Sequence, residues 1–180
     1  MVTASERAEQ GGELTRRARD IAAGVPDPEL PMLTLSDLGV LRGIDVDKDG
    51  SVVVQLTPTY AGCPAVAEMR AEVATRLRTA GFADVRVVTV LDPPWTTDWI
   101  TAEGRRKLAE HGIAPPGARR PAHSAPTRVW LSLTPHPAGV PCPRCASIDT
   151  EELSRFAATA CTALRRCRAC LEPFPHIKEL

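Results

Sequence analysis

Aromatic side chains are scarce in this chain: one tyrosine, three tryptophans and three phenylalanines make up 4% of its 180 residues. The core must therefore be built from Val, Leu, Ile and Ala, and a hydrophobic content of 43% is enough to build one. An excess of either charge is missing too. Lys plus Arg and Asp plus Glu number 22 each, so no overall field draws in nucleic acid or an anionic bilayer. No apolar run approaches membrane-spanning length, and the opening MVTASERAEQGGEL is polar with no apolar leader core. A soluble, cytoplasmic protein is expected. No glycine-rich phosphate loop occurs and no Ser/His/Asp constellation can be argued. His111, His123, His136 and His176 form no metal-binding helical pair.

What is present is organised in two lobes. Residues 12–24 suit an amphipathic helix closed by Gly24 and the proline-rich VPDPELP. DLGVLRGIDVDKDGSVVVQLTPT predicts a hairpin turning at Asp49-Gly50. After Pro64, a stripe of Val66, Met69, Val73 and Leu77 predicts a helix ended by Gly81, and DVRVVTVL a third strand. This order suits an α+β protein that opens with a small α/β domain, helices packed on a three-stranded sheet. Thr101 is placed to cap a short helix closed by Gly112, and GIAPPGARRPAHSAPT reads as an irregular linker. RVWLSLTP is a further strand candidate. The expected boundaries are 12–92 for the first domain, 93–126 for a connection and 127–180 for a small all-β domain.

Four cysteines dominate the last segment. Cys142-x-x-Cys145 and Cys167-x-x-Cys170 form two knuckles separated by enough chain for a hairpin, the spacing of a zinc ribbon. In a reducing compartment such pairs read as metal ligands rather than disulfides. Four soft thiolates favour one closed, structural zinc, although the same ligands also suit iron or an iron-sulfur cluster. Arg144, Arg165, Arg166 and Arg168 can offset the negative charge of such a site; the neutral chain disfavours the sharper reading, a nucleic-acid interface. Glycine is missing directly after each knuckle, where Ala146 and Leu171 stand. Cys161 reads as a small buried residue, with a fifth or cluster ligand as the lesser alternative.

Cys63 differs in kind. It sits between Gly62 and Pro64 at a helix start, where free N–H groups and the helix dipole favour a thiolate. A buried, inert thiol in a tight turn weighs equally from spacing alone. Asp27, Glu29 and Asp37 lie in loops that a compact domain could bring near this helix end; there they would raise the thiol pKa and build a mixed sulfur and oxygen site for a transient metal. Turn and cap roles are the commoner explanation for such acids. Trp95, Trp99 and Trp130 read as packing between lobes or as an exposed anchor for a partner.

Taken in order, PDPELPMLTLSDLGVLRGI, TPTYAGCPA, LDPPWTTDWI, HGIAPP, CPRCAS and the final TACTAL to CLEPF segment resemble the PaaD family (also PaaJ), encoded with the phenylacetyl-CoA 1,2-epoxidase of aerobic phenylacetate degradation. The resemblance implies a SufT-like iron-sulfur assembly domain followed by a zinc-ribbon-like domain. It implies that Asp27, Glu29, Asp37, Thr57 and Cys63 carry the first domain's signature, with Cys63 as its reactive cysteine. Cys142, Cys145, Cys167 and Cys170 match the paired ribbon cysteines. The chain is then an accessory subunit, not itself the catalyst, that assists iron-sulfur or metal-centre assembly in the oxygenase or reductase subunits. A transient iron or cluster at Cys63 goes with that role. The alternative is a non-catalytic scaffold of the oxygenase complex. A homodimer through a sheet edge of the first lobe is a further expectation, and neither nucleic acid nor membrane is an expected partner.

Overall fold

The computed structural model describes residues 4–47, 49–117 and 139–178. The chain divides into two compact units, Met1–Leu108 and Ala109–Glu179.

In the first unit, α1 (Ala4–Ala23) is followed by β1 (Leu41–Val46), β2 (Val52–Leu56), α2 (Ala65–Thr79), β3 (Val85–Thr89) and α3 (Ala102–Glu110), whose last turn crosses into the second unit. The sheet order is β1-β2-β3, with β1 antiparallel to β2 and β2 parallel to β3. The hairpin turns as expected, with Gly50 at a φ of 85° that suits glycine. Alternation along β2 buries Val52, Val54 and Leu56. Met69, Val73 and Leu77 of α2 join that core, whereas Val66 stays half-exposed because α2 starts at Ala65 behind an N-cap Pro64.

Arg70 Nε donates to Val87 O at 3.1 Å, and an Arg78 Nη to Val85 O at 3.3 Å. Both carbonyls face away from β2, so these arginines close the β3 edge to strand addition. A dimer through a sheet edge would have to use β1.

The segment expected as a connection from residue 93 begins instead as part of the first unit. Trp95 is buried and donates from Nε1 to Leu38 O at 2.8 Å, so it is not an exposed anchor. The Arg42 guanidinium lies 3.5 Å from the Trp99 ring centroid, a cation–π contact. Thr101 caps α3 as expected, accepting from Gly104 N at 2.9 Å.

In the second unit β4 (Thr150–Ser154), β5 (Thr162–Cys167) and β6 (Pro173–Ile177) form an antiparallel sheet in that order. The third strand, in the proline-containing PFPHI, was not foreseen. Ala114 N donates to Pro175 O and Ile177 N to Ala114 O, tying the residues after α3 to its outer edge. RVWLSLTP, Trp130, His123 and His136 lie outside the described residues.

Candidate metal centre and candidate cysteine site

Each Cys-x-x-Cys pair of the ribbon is bent into a knuckle by its own backbone. Ala146 N donates to Cys142 O and Cys142 N to Ser147 O, both at 2.9 Å; on the other side Cys167 N donates to Glu172 O at 3.0 Å. The turns demand left-handed backbone, and the residues there are not glycine: Ala146 has φ 60° and Leu171 φ 65°. Each such residue costs about 1–2 kcal/mol, so something must hold the knuckles in place. The four sulfurs supply the answer. They all lie within 4.8 Å of one another, with Cys142 Sγ to Cys170 Sγ at 3.7 Å and Cys145 Sγ to Cys167 Sγ at 3.5 Å. Tetrahedral bonds of about 2.3 Å to one ion place sulfurs about 3.8 Å apart, so the donor set and its spacing fit a single metal.

Charge around this centre is arranged differently from expectation. Glu151 forks between two arginines: its Oε2 accepts from an Arg168 Nη at 2.8 Å and its Oε1 from Arg166 Nε at 3.0 Å. Arg165 is buried, with Glu152 3.9 Å away. Arg165, Arg166 and Arg168 therefore answer to carboxylates of β4. The Cys170 N–H, which donates to Cys167 Sγ at 3.5 Å, outweighs burial and brings the Cys167 thiol down to about 7. Cys161 is buried, as its type suggested, with its sulfur 3.0 Å from Thr159 Oγ1.

In the first unit the predicted residues fall into two groups. Gly62, at φ 95°, swings the chain so that the half-buried Cys63 stands just before α2. Burial raises the Cys63 thiol; the Ala65 and Val66 N–H groups act against that, and the charges of Glu29 and Asp27 add to it. Asp27 is buried, and its Oδ1 accepts from Glu29 N at 2.8 Å and Leu30 N at 2.7 Å. Burial raises the Asp27 carboxyl as well, with Glu68 adding to the effect. The charges of Asp27 and Glu29 thus reach the Cys63 thiol at the start of α2, without their oxygens and its sulfur closing into a ligand cluster. Among the described residues, only the ribbon cysteines bring three or more ligand atoms together.

Asp37 does not belong to this group. Its Oδ2 takes a hydrogen bond from Lys107 Nζ at 2.7 Å and from Thr34 N at 2.9 Å, and its carbonyl accepts from Thr101 N. Although burial acts upward, Lys107 and Thr34 hold its carboxyl below the usual range. The DLG segment is a latch onto α3: a Cβ at Gly104 would meet Asp37 O at 2.7 Å, and one at Gly39 would meet Trp99 O at 2.5 Å. Thr57 follows β2, fully buried, with a hydroxyl that has no hydrogen-bond partner. Sequence reasoning missed Glu68, which stands in the first turn of α2, five residues after Cys63, and whose charge acts on Asp27.

Comparison with known proteins agrees with this division. Residues 19–90 match the family model described as an iron-sulfur cluster assembly protein, and residues 127–178 the PaaD zinc beta ribbon domain. An Escherichia coli K12 protein, provisionally named the D component of 1,2-phenylacetyl-CoA epoxidase, is 44% identical over 154 residues, 86% of each chain. The Fe-S protein maturation auxiliary factor SufT of Staphylococcus aureus USA300 is 35% identical over 43% of this chain and 88% of its own. The crystal structure of a domain of unknown function, DUF59, from Bacillus anthracis shares the fold with a TM-score of 0.53 at 23% identity, over 56% of this chain and 96% of that one. The chain belongs to the PaaD family of phenylacetyl-CoA epoxidase components, in which an iron-sulfur assembly domain precedes a zinc ribbon.

Proposed function

We propose that this chain is an accessory subunit of a multicomponent phenylacetyl-CoA epoxidase that assists iron-sulfur or metal-centre assembly in its partner oxygenase or reductase subunits. The observation that carries the reading is the setting of Cys63: a half-buried thiol at a helix start that takes hydrogen bonds from the N–H groups of Ala65 and Val66 and feels the charges of Glu29 and Asp27. Such a set offers sulfur and oxygen ligands to iron without enclosing it, which suits cargo that must leave again. Thr57, whose hydroxyl is buried and unpartnered, is assigned to the same site by the family resemblance. Asp37 acts in this reading as a positioning residue that fixes the loop carrying Asp27 and Glu29 through its bond to Lys107.

The ribbon has the other role. Cys142, Cys145, Cys167 and Cys170 would hold zinc as a closed structural ion, with no free position for chemistry. Of the two domains of this reading, the second is kept at 127–180 and the first, expected over 12–92, extends to take in the segment from residue 93; its setting is the cytoplasm.

Cys63→Ser tests the assignment. Co-expressed with the other subunits, it is expected to leave folding intact and lower the iron content and activity of the purified epoxidase. A scaffold subunit would need the ribbon but not Cys63, so full iron occupancy and activity in that variant would select the scaffold instead.

A further inference from the structure

The flank of α2 that faces the β3 edge carries chemistry that neither cysteine site uses. An open groove of about 460 Å³ runs there, floored by Ala67, Ala71 and Ala74 and ringed by Arg70, Arg78 and Arg86. All three arginines are exposed, and among the described residues none has a carboxylate within ion-pair distance. Elsewhere in the molecule Arg76, Arg106, Arg166 and Arg168 all have such partners. Three guanidinium groups around one groove with no carboxylate partner among the described residues, in a chain of zero net charge, form a local demand for anions.

The spacing narrows the class of anion. Arg70 and Arg78 are anchored to the carbonyls of Val87 and Val85, two residues apart on one strand edge and so about 6.6 Å from each other. Each anchor uses one of five N–H donors, leaving the rest for a carboxylate fork. Acidic side chains on alternate residues of an extended chain repeat at the same interval of about 6.6 Å. The alanine floor allows a backbone to approach closely. No aromatic residue lines the groove to stack a base, and three charges make no track for a polyanion.

We propose that this flank docks an extended segment of a partner protein that carries carboxylates at alternate positions, gripped by Arg70, Arg78 and Arg86. The interaction is independent of metal handling at Cys63, and its test contains no metal.

The probe is a labelled peptide of alternating alanine and glutamate, titrated into the full chain by fluorescence anisotropy, with inorganic tripolyphosphate and a short DNA duplex as competitors. Saturable binding that weakens with salt is expected, reduced about tenfold or more by Arg86→Glu. Arg86 donates no side-chain hydrogen bond among the described residues, so this change breaks none of those contacts. Should Arg86→Glu disturb folding, Arg86→Gln carries the same test with a smaller expected loss, about threefold. Absence of binding, binding that Arg86→Glu and Arg86→Gln leave unchanged, or preference for tripolyphosphate or duplex over the peptide would each overturn the proposal.

Discussion

The two units use cysteine in opposite ways. In the ribbon, four sulfurs face one another within 4.8 Å, drawn together by knuckles that force Ala146 and Leu171 into left-handed backbone. Cys63 is the one cysteine in the sequence of the first unit; carboxylate charges and helix N–H groups act on it, and its thiol is raised rather than lowered. The difference teaches that ligand number and neighbouring charge decide whether cysteine stabilises a fold or stays available. A complete tetrahedron commits its metal to structure, while an incomplete one leaves the thiol protonated until a cation displaces the proton.

The largest effect expected from this contrast is loss of the ribbon on removal of its metal. Small zinc-bound domains draw about 10–16 kcal/mol from their ion. Chelation, or Cys167→Ser, is therefore expected to abolish hydrogen-exchange protection in β4, β5 and β6 while β1, β2 and α2 stay protected. Simultaneous loss in both units would break the comparison.

Next in size is the latch of the first unit. Asp37→Asn is expected to lower stability by about 2–3 kcal/mol in denaturant titration, because Lys107 and the Thr34 N–H lose their charged acceptor. The folded-state value of Asp37 is depressed, so its contribution is present above the ordinary carboxylate range and lost as pH falls through that depressed value. The pH dependence in strong acid is expected to flatten in the variant.

His176 offers an internal contrast in the ribbon. Burial, and then the charge of Arg165, lower it to about 4, and its Nε2 is buried without a partner. The unfolded chain takes up this proton nearer 6.5, so stability is lost as pH falls from about 6.5 toward 4. Between pH 7 and pH 5 the loss is on the order of 2 kcal/mol. His176→Leu is expected to remove that part of the pH dependence, measured by the same titration at both values.

The smallest effect concerns the knuckles. Ala146→Gly and Leu171→Gly each relieve a left-handed side chain at an exposed position, for an expected gain of about 0.5–1 kcal/mol after the added freedom of the unfolded chain. Thermal denaturation of the metal-loaded protein reads this directly, and a loss of stability would mean that the turns are not strained.

Local signals made much of this fold legible. Asp49-Gly50 marked the hairpin, Thr101 marked the start of α3, and the cysteine spacing marked both knuckles. What stayed hidden depends on contacts between residues far apart in the chain. Lys107 is 70 positions from Asp37, so nothing in DLG reveals that its aspartate answers a lysine rather than Cys63. Glu151 meets Arg166 and Arg168 only because β4 pairs with β5 in one register. PFPHI is poor in local strand signals because its prolines lack N–H groups; it pairs because β5 offers it an edge. The company of Cys63 was legible as types of residue, but the separation of Asp37 from Asp27 and Glu29 required the fold.

The most direct test of the division between the two cysteine sites is metal and acid-labile sulfide analysis of protein purified without oxygen, with Cys63→Ser and Cys167→Ser alongside. The expected result is about one zinc per chain, unchanged in Cys63→Ser and lost in Cys167→Ser, with no sulfide in the four-cysteine site. Iron with sulfide that survives Cys63→Ser and disappears in Cys167→Ser would contradict that division, making the ribbon the cluster carrier and Cys63 the bystander.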